Sequence, residues 1–233
     1  MSDQPPPAAL SGFVAAVEGR HSVRRFTTDP MPRDDVREMV RLATLAANAG
    51  NAQPWRFVAV DDPALLAAMR DAVEARMDEM AGWPEAEAAG PLAATRAMRG
   101  YSTFFADAPL AIAVLGLPYE SHGDRLLAAH GVPREERDRL RARPDLQSVG
   151  AAVQLLVTAA HVLGYGACWM SAPVLAARRL EELLGVEEPA RLVALVAAGR
   201  PAGRPAATPR LPVAEVLRFL PPEPESDCGP ERP

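Results

Sequence analysis

Residues 20–26 read RHSVRRF. Arg20, Arg24 and Arg25 gather guanidinium groups in a chain whose formal net charge is −5, and Ser22 sets a hydroxyl among them. Guanidinium forks match the oxygen geometry of phosphate and stay charged at any physiological pH. The chemistry this cluster could do is to hold a phosphate. The same residues, placed after a short helix, could also simply complement the helix dipole. Neither G-x-G-x-x-G nor G-x-x-x-x-G-K-[ST] occurs, which disfavours a Rossmann dinucleotide site or a P-loop. Any phosphate would be held by side chains from separated segments.

Three further stretches have polar groups at informative places. In ANAGNAQPWRFVAV (47–60), Asn48 and Asn51 carry amides that donate and accept at once. They suit the polar edge of a planar heterocycle, or equally a helix C-cap and turn. In GYGACWMSAP (164–173), the glycines allow a close backbone approach or simply end a helix. In TPRLPVAEVL (208–217), Arg210 stands alone among prolines. His161 reads as a core or interface histidine. His122 and His130 lack a partner spacing for a metal, and none is expected. Cys168 and Cys228 are too far apart for a Cys-x-x-Cys site, and Cys168 reads as a small buried hydrophobe. Trp55 and Trp169 read as packing residues.

The elements that must position these groups follow from periodicity. Short helical spacing covers 10–18, and Val36, Met39, Val40, Ala43 and Ala47 recur as on a second helix. RFVAV (56–60) reads as a strand, after which Asp62 offers an N-cap and Pro63 a first helical position. The stretch 82–100 reads as helix and loop. LAIAVLGL and ARLVALVAAG are continuous apolar runs of strand length, and ACWMS is a short one. Residues 118–146 read as a charged excursion with one short helix. Residues 147–164 read as a helix buried on most sides, with Gln147, Gln154, Thr158 and His161 on one stripe. Another helix covers 173–184, and VAEVLRFL closes the fold. Helices and strands mix without a βαβ rhythm, so the expected class is α+β with helices flanking a central mixed sheet. One domain over 10–220 is expected between flexible tails at 1–9 and 221–233.

Composition narrows the function. Apolar residues make up 48% and charged residues 24%, as in an ordinary globular protein. The acidic balance argues against nucleic acid as a partner. No apolar run is long enough for a membrane span, and no signal peptide is visible, so a cytoplasmic protein is expected.

In this order and at these separations, the stretches resemble the FMN-dependent nitroreductase family. RHSVRRF resembles its opening Arg-x-Ser-x-Arg motif, and NAGNAQPWRFVAV its Ser-x-x-Asn-x-Gln-Pro-Trp motif. GAAVQLLVTAAHVLGYGACW is similar to its central helix and following strand, and PRLPVAEVL to its C-terminal arginine motif. The resemblance covers roughly 12–220. It implies an intertwined homodimer with FMN at the subunit interface. It implies that the FMN phosphate and ribityl region lie on Arg20, His21, Ser22, Arg24 and Arg210. Asn48 and Asn51 would come from the second subunit to the pyrimidine side, and Ser171 and Ala172 would lie near the reactive edge. It implies ping-pong hydride transfer from NAD(P)H through flavin N5 to a nitroaromatic, quinone or similar small acceptor, with no catalytic side chain. The alternatives are flavin-destroying, dehalogenating or azoline-oxidising chemistry, or flavin binding without turnover. The sequence departs from the pattern at Asn48, where serine is common, and at Thr208, where lysine often stands. WMSAP lacks a Pro-x-Glu-Gly, and 92–106 shows no match to a further phosphate contact. The excursion at 118–146 reads as a lid or a surface insertion.

Overall fold

The computed structural model describes residues 8–89, 92–204 and 208–220. Of the expected tails, only Ala8 and Ala9 fall within the described residues, and they open the first helix.

A four-stranded sheet has the order β1-β2-β4-β3. Its strands are β1 (Trp55–Val60), β2 (Leu110–Gly116), β3 (Gly166–Met170) and β4 (Arg191–Gly199). Neighbouring strands are antiparallel. A parallel bridge from Ser22 to Ala167 makes the sheet mixed at its β3 edge. The interior strands β2 and β4 are the two longest apolar runs in the sequence. Strands covered on both faces have no solvent side to mark with polar residues.

The helices are α1 (Ala8–Gly19), α2 (Arg33–Ala43), α3 (Pro63–Ala81), α4 (Ala86–Ala89), α5 (Leu92–Thr103), α6 (His122–Ala129), α7 (Arg134–Arg141), α8 (Pro144–Val162), α9 (Ala177–Leu184) and α10 (Val213–Val216). α2 and α8 cover one sheet face, packing Met39, Val149, Val153 and Leu156 against Ile112 and Val196. α3 and α9 cover the other, packing Met69, Val73 and Leu180 against Ala113 and Leu195. The alternation of Ile112 and Ala113 between these faces is the strand period of two. The Asp62 side chain accepts from the Ala64 N–H at 2.9 Å, with Pro63 in the first turn, as the sequence predicts.

Some elements differ from expectation. The excursion holds two helices, α6 and α7. The first is fixed by a capping box between Ser121 and Asp124. The second, REERDRLR, buries no residue, so it has no apolar face for a periodicity reading to detect. α8 starts at Pro144, a residue suited to a first helical turn. Residues 172–176 form a 3₁₀ turn before α9 begins. The closing segment does not pack: Leu211, Val213, Val216 and Phe219 stand 54–68% exposed.

Candidate flavin site

The arginine segment runs along the outer edge of β3. The Val23 N–H donates to the Ala167 carbonyl at 3.1 Å, and Thr27 N–H to the Arg200 carbonyl at 2.9 Å. Ala202 N–H donates to the Arg25 carbonyl at 3.0 Å, and Phe26 bridges Pro201. These bonds fix Arg20, Ser22 and Arg24 beside β3. The clamp depends on Gly166, because the Val23 side chain fills the place where a side chain at 166 would begin.

The segment's charges are not neutralised. Among the described residues, Arg20, Arg24, Arg25, Arg200, Arg204 and Arg210 make no ion pair with a carboxylate. Other arginines pair readily, as Arg33 does with Asp61 and Arg141 with Asp124. Arg24 lies over the Tyr101 ring, 5.5 Å from its centroid. A cavity of about 640 Å³ opens beside the segment, lined by Arg20, His21, His161, Tyr165 and Arg204, with Gly166 among its backbone walls. Its size falls within the range of small-ligand sites.

Two polar groups at the site stay uncharged. Burial pushes the Cys168 thiol upward, outweighing Arg24, Ser22 and Arg20, which pull it down. The Tyr165 hydroxyl donates to Asp35, and this bond, with burial, raises it, while Arg200 opposes. Cys168 therefore adds no negative charge beside the guanidinium groups.

The second predicted stretch forms a strained loop before β1. Gly50, Asn51 and Gln53 all have positive φ, at 59°, 52° and 47°. Non-glycine residues there cost about 1–2 kcal/mol each, and such strain clusters at binding sites. Glycine suits position 50 by its positive φ, and a Cβ there would lie 2.8 Å from the Tyr119 hydroxyl, at the tip of a side chain. The Asn48 carbonyl oxygen accepts from Gln53 N–H at 2.8 Å, and its amino group donates to the Ala46 carbonyl at 3.1 Å. One donor and one acceptor of that amide are thus engaged in its own loop. The Ala49 N–H donates to the Ser148 hydroxyl at the start of α8.

The predicted residues separate into distinct places. Arg20, His21, Ser22 and Arg24 lie at the β3 edge. Asn48 and Asn51 precede β1, the opposite edge strand. Two interior strands put these edges about 14 Å apart. α8 gives the same answer lengthwise, because Ser148 meets the asparagine loop and His161 meets Gly19, about 20 Å along the helix. Ser171 and Ala172 follow β3, with Ser171 exposed. Arg210 lies on the exposed C-terminal arm, where among the described residues its hydrogen bonds go only to the Thr208 and Pro209 carbonyls. Sequence reasoning missed Arg200 and Arg204 in GRPAGRP, although arginines set among glycines and prolines just after a strand were a usable signal. Tyr101 had no such signal. Among the described residues no three His, Cys, Asp or Glu side chains gather as a metal would require. No described helix is long and apolar enough to cross a membrane.

At one edge of this helix-flanked mixed sheet the cavity is lined, among the described residues, by cationic and neutral side chains. Residues 17–200 match the nitroreductase family, and the chain belongs to it.

The chain is similar to several known proteins. A BluB-like flavoprotein from Clostridium difficile 630 is 26% identical with a TM-score of 0.79, covering 89% of this chain and 98% of that one. An NADH dehydrogenase from Thermus thermophilus is 44% identical over 63 residues, 27% of this chain and 30% of that protein. A 5,6-dimethylbenzimidazole synthase from Rhodospirillum rubrum is 43% identical over 58 residues, 25% of this chain and 28% of that protein. The chain thus spans under a third of the length of these two curated relatives.

Proposed function

We propose that the protein is an FMN-dependent oxidoreductase acting as a homodimer, with flavin chemistry of the flavin-consuming kind. The observation that carries the flavin reading is the row of guanidinium groups that, among the described residues, have no carboxylate partner, beside a cavity of about 640 Å³. The residues fit the cofactor. Arg20, Ser22 and Arg24 would hold its phosphate and ribityl oxygens, with His21 alongside. Two to four charge-assisted contacts at about 1.5–3 kcal/mol each retain such a group without a covalent link. Ser171 and Ala172 lie at the far end of β3 from Gly166, where the ring system would extend. When bound, FMN would carry electrons from NAD(P)H to dioxygen or a small organic acceptor, and in a flavin-consuming reaction it is also the substrate.

The distances support the homodimer if Asn48 and Asn51 contact the flavin. Asn48 and Asn51 cannot reach the arginine row of their own chain across about 14 Å of sheet. A second copy with its α8 antiparallel to the first would bring the asparagine loop of one chain to the arginine row of the other. Phe13, Val17, Val162, Val213, Val216 and Phe219 are 51–68% exposed, an apolar surface suited to that contact. Arg210 would join the site once the arm carrying it is seated.

The flavin-consuming reading is favoured by the BluB-like flavoprotein, 26% identical across 89% of this chain, and by the local likeness to the dimethylbenzimidazole synthase. The second reading, plain NAD(P)H oxidation with an organic acceptor and no loss of flavin, is favoured by the likeness to the NADH dehydrogenase. One experiment separates them. The FMN-loaded protein is reduced without oxygen, by NADH or NADPH or by dithionite, then opened to air, and the flavin is quantified by chromatography. Loss of FMN with a new aromatic product supports the first reading. Full recovery of FMN, with turnover of a quinone or nitroarene, supports the second. Protein that takes up no FMN at all overturns both.

A further inference from the structure

We propose that Arg204 and His161 complete the phosphate seat of this site, and that Arg204 makes the protein select FMN over unphosphorylated riboflavin. The proposal rests on the reading that this chain binds FMN. Nothing in the sequence motifs assigns either residue a ligand.

The cavity brings together Arg20 and His21 from the segment beside β3, His161 from the end of α8, and Arg204 from the chain after β4. Among the described residues no carboxylate lines it. The nearby acid, Asp35, is engaged by the Tyr165 hydroxyl, and the Arg200 guanidinium lies 5.5 Å from the centroid of that tyrosine ring. The neighbourhood is therefore cationic in a chain that is acidic overall. Guanidinium groups converging without counter-charge repel one another, and an anion between them removes that cost.

A helix C-terminus would ordinarily repel an anion, since its last carbonyls carry partial negative charge. At the end of α8 three of the last four carbonyls are engaged. Ala159, Ala160 and His161 accept from the N–H groups of Leu163, Tyr165 and Gly164, at 3.0, 2.8 and 3.0 Å. The repulsion is thereby reduced, and the His161 imidazole is the polar group left facing the cavity. Its position depends on the residue opposite, because a Cβ at Gly19 would lie 2.7 Å from the His161 Nε2. Arg204 sits on exposed chain outside the sheet, so its side chain serves no core packing.

Affinities for FMN and riboflavin are measured by quenching of flavin fluorescence in the full chain, for wild type, Arg204→Gln, Arg204→Lys and His161→Gln. Wild type is expected to prefer FMN, and inorganic phosphate to compete with it. Arg204→Gln is expected to weaken FMN about tenfold or more, the size of one charge-assisted contact. Riboflavin affinity should stay within about twofold, as for an independent site. Arg204→Lys should recover part of the loss, and His161→Gln should weaken FMN while sparing riboflavin. Equal wild-type affinity for the two flavins overturns the inference and leaves the flavin reading standing. So does an Arg204→Gln protein with unchanged FMN affinity, or parallel losses for both flavins. A wild type that binds neither flavin overturns the inference together with the reading beneath it.

Discussion

Replacing Gly166 by alanine should lift the arginine segment off the sheet. An added Cβ would meet the Val23 Cγ2, Cβ and Cγ1 at 2.6, 2.7 and 2.8 Å. Carbon atoms pack at about 3.5–4.0 Å, so one partner must move by about 1 Å. Val23 cannot rotate away: its Cβ is itself in the clash, and a β-branched side chain is stiff at χ1. Gly166 has no positive φ, so its own backbone accepts alanine and the strain falls on the contact. Overpacking of this kind costs about 1–3 kcal/mol. The Val23 N–H bond to Ala167, at 3.1 Å, would stretch beyond bonding distance. Its loss adds about 0.5–1.5 kcal/mol. A total of about 2–4 kcal/mol corresponds to a Tm lower by roughly 5–15 °C in a protein of this size. Because Ser22 and Arg24 flank Val23, FMN affinity should fall by about tenfold, one charge-assisted contact. Thermal melts and flavin titration read both effects. Val23→Gly in the variant, which removes the clashing Cβ as well as both methyls, should restore part of the FMN affinity, giving a clear interaction energy in a double-mutant cycle. A variant that melts within a degree of wild type and binds FMN equally well refutes the clamp, as does a Val23→Gly change that shows no interaction energy with Gly166→Ala.

Further outcomes are expected. In a Cys228→Ser background, Cys168 should react slowly with an aromatic disulfide reagent at neutral pH, because burial holds the thiol protonated, and quickly once the chain is unfolded; fast labelling of native protein would contradict this. Asp124 lies below the usual carboxylate range, first through the Ser121 hydroxyl bond, against burial, with further help from the Ser121 N–H and from Arg141. Its contribution to stability is complete above an unfolded value of about 3.9 and disappears as pH falls through the lower folded value. Asp124→Asn should therefore destabilise at pH 7, with a deficit that narrows below about pH 4 in denaturant titrations; a constant deficit would count against the pairing. Deleting 208–233 should give a monomer by light scattering with much weaker FMN retention, whereas a dimer of undiminished affinity would remove the role given to the arm.

Much of the fold was legible in the chain because single elements obey local rules. β2 and β4 showed themselves as unbroken apolar runs since both their faces are covered. α3 showed itself through Asp62, Pro63 and the spacing of Leu66, Met69, Val73 and Met77. Of the two helices in the charged excursion, α6 and α7, the sequence suggested only one, because α7 buries nothing and offers no apolar face. The closing segment misled for the opposite reason. Its leucines, valines and phenylalanine are apolar enough for a core, yet within one chain they find none.

The candidate site divided along the same line. Sequence alone singled out Arg20, Ser22 and Arg24 as groups able to grip a phosphate, because a guanidinium keeps its charge and geometry wherever it is placed, but it passed over Arg204. Only the tertiary structure decided that Asn48 and Asn51 lie at the far edge of the sheet from Arg20, Ser22 and Arg24, and that His161 and Arg204 share a cavity with Arg20. The reason is that strand order and helix length set distances between segments. No local pattern of side chains encodes the sequence β1-β2-β4-β3.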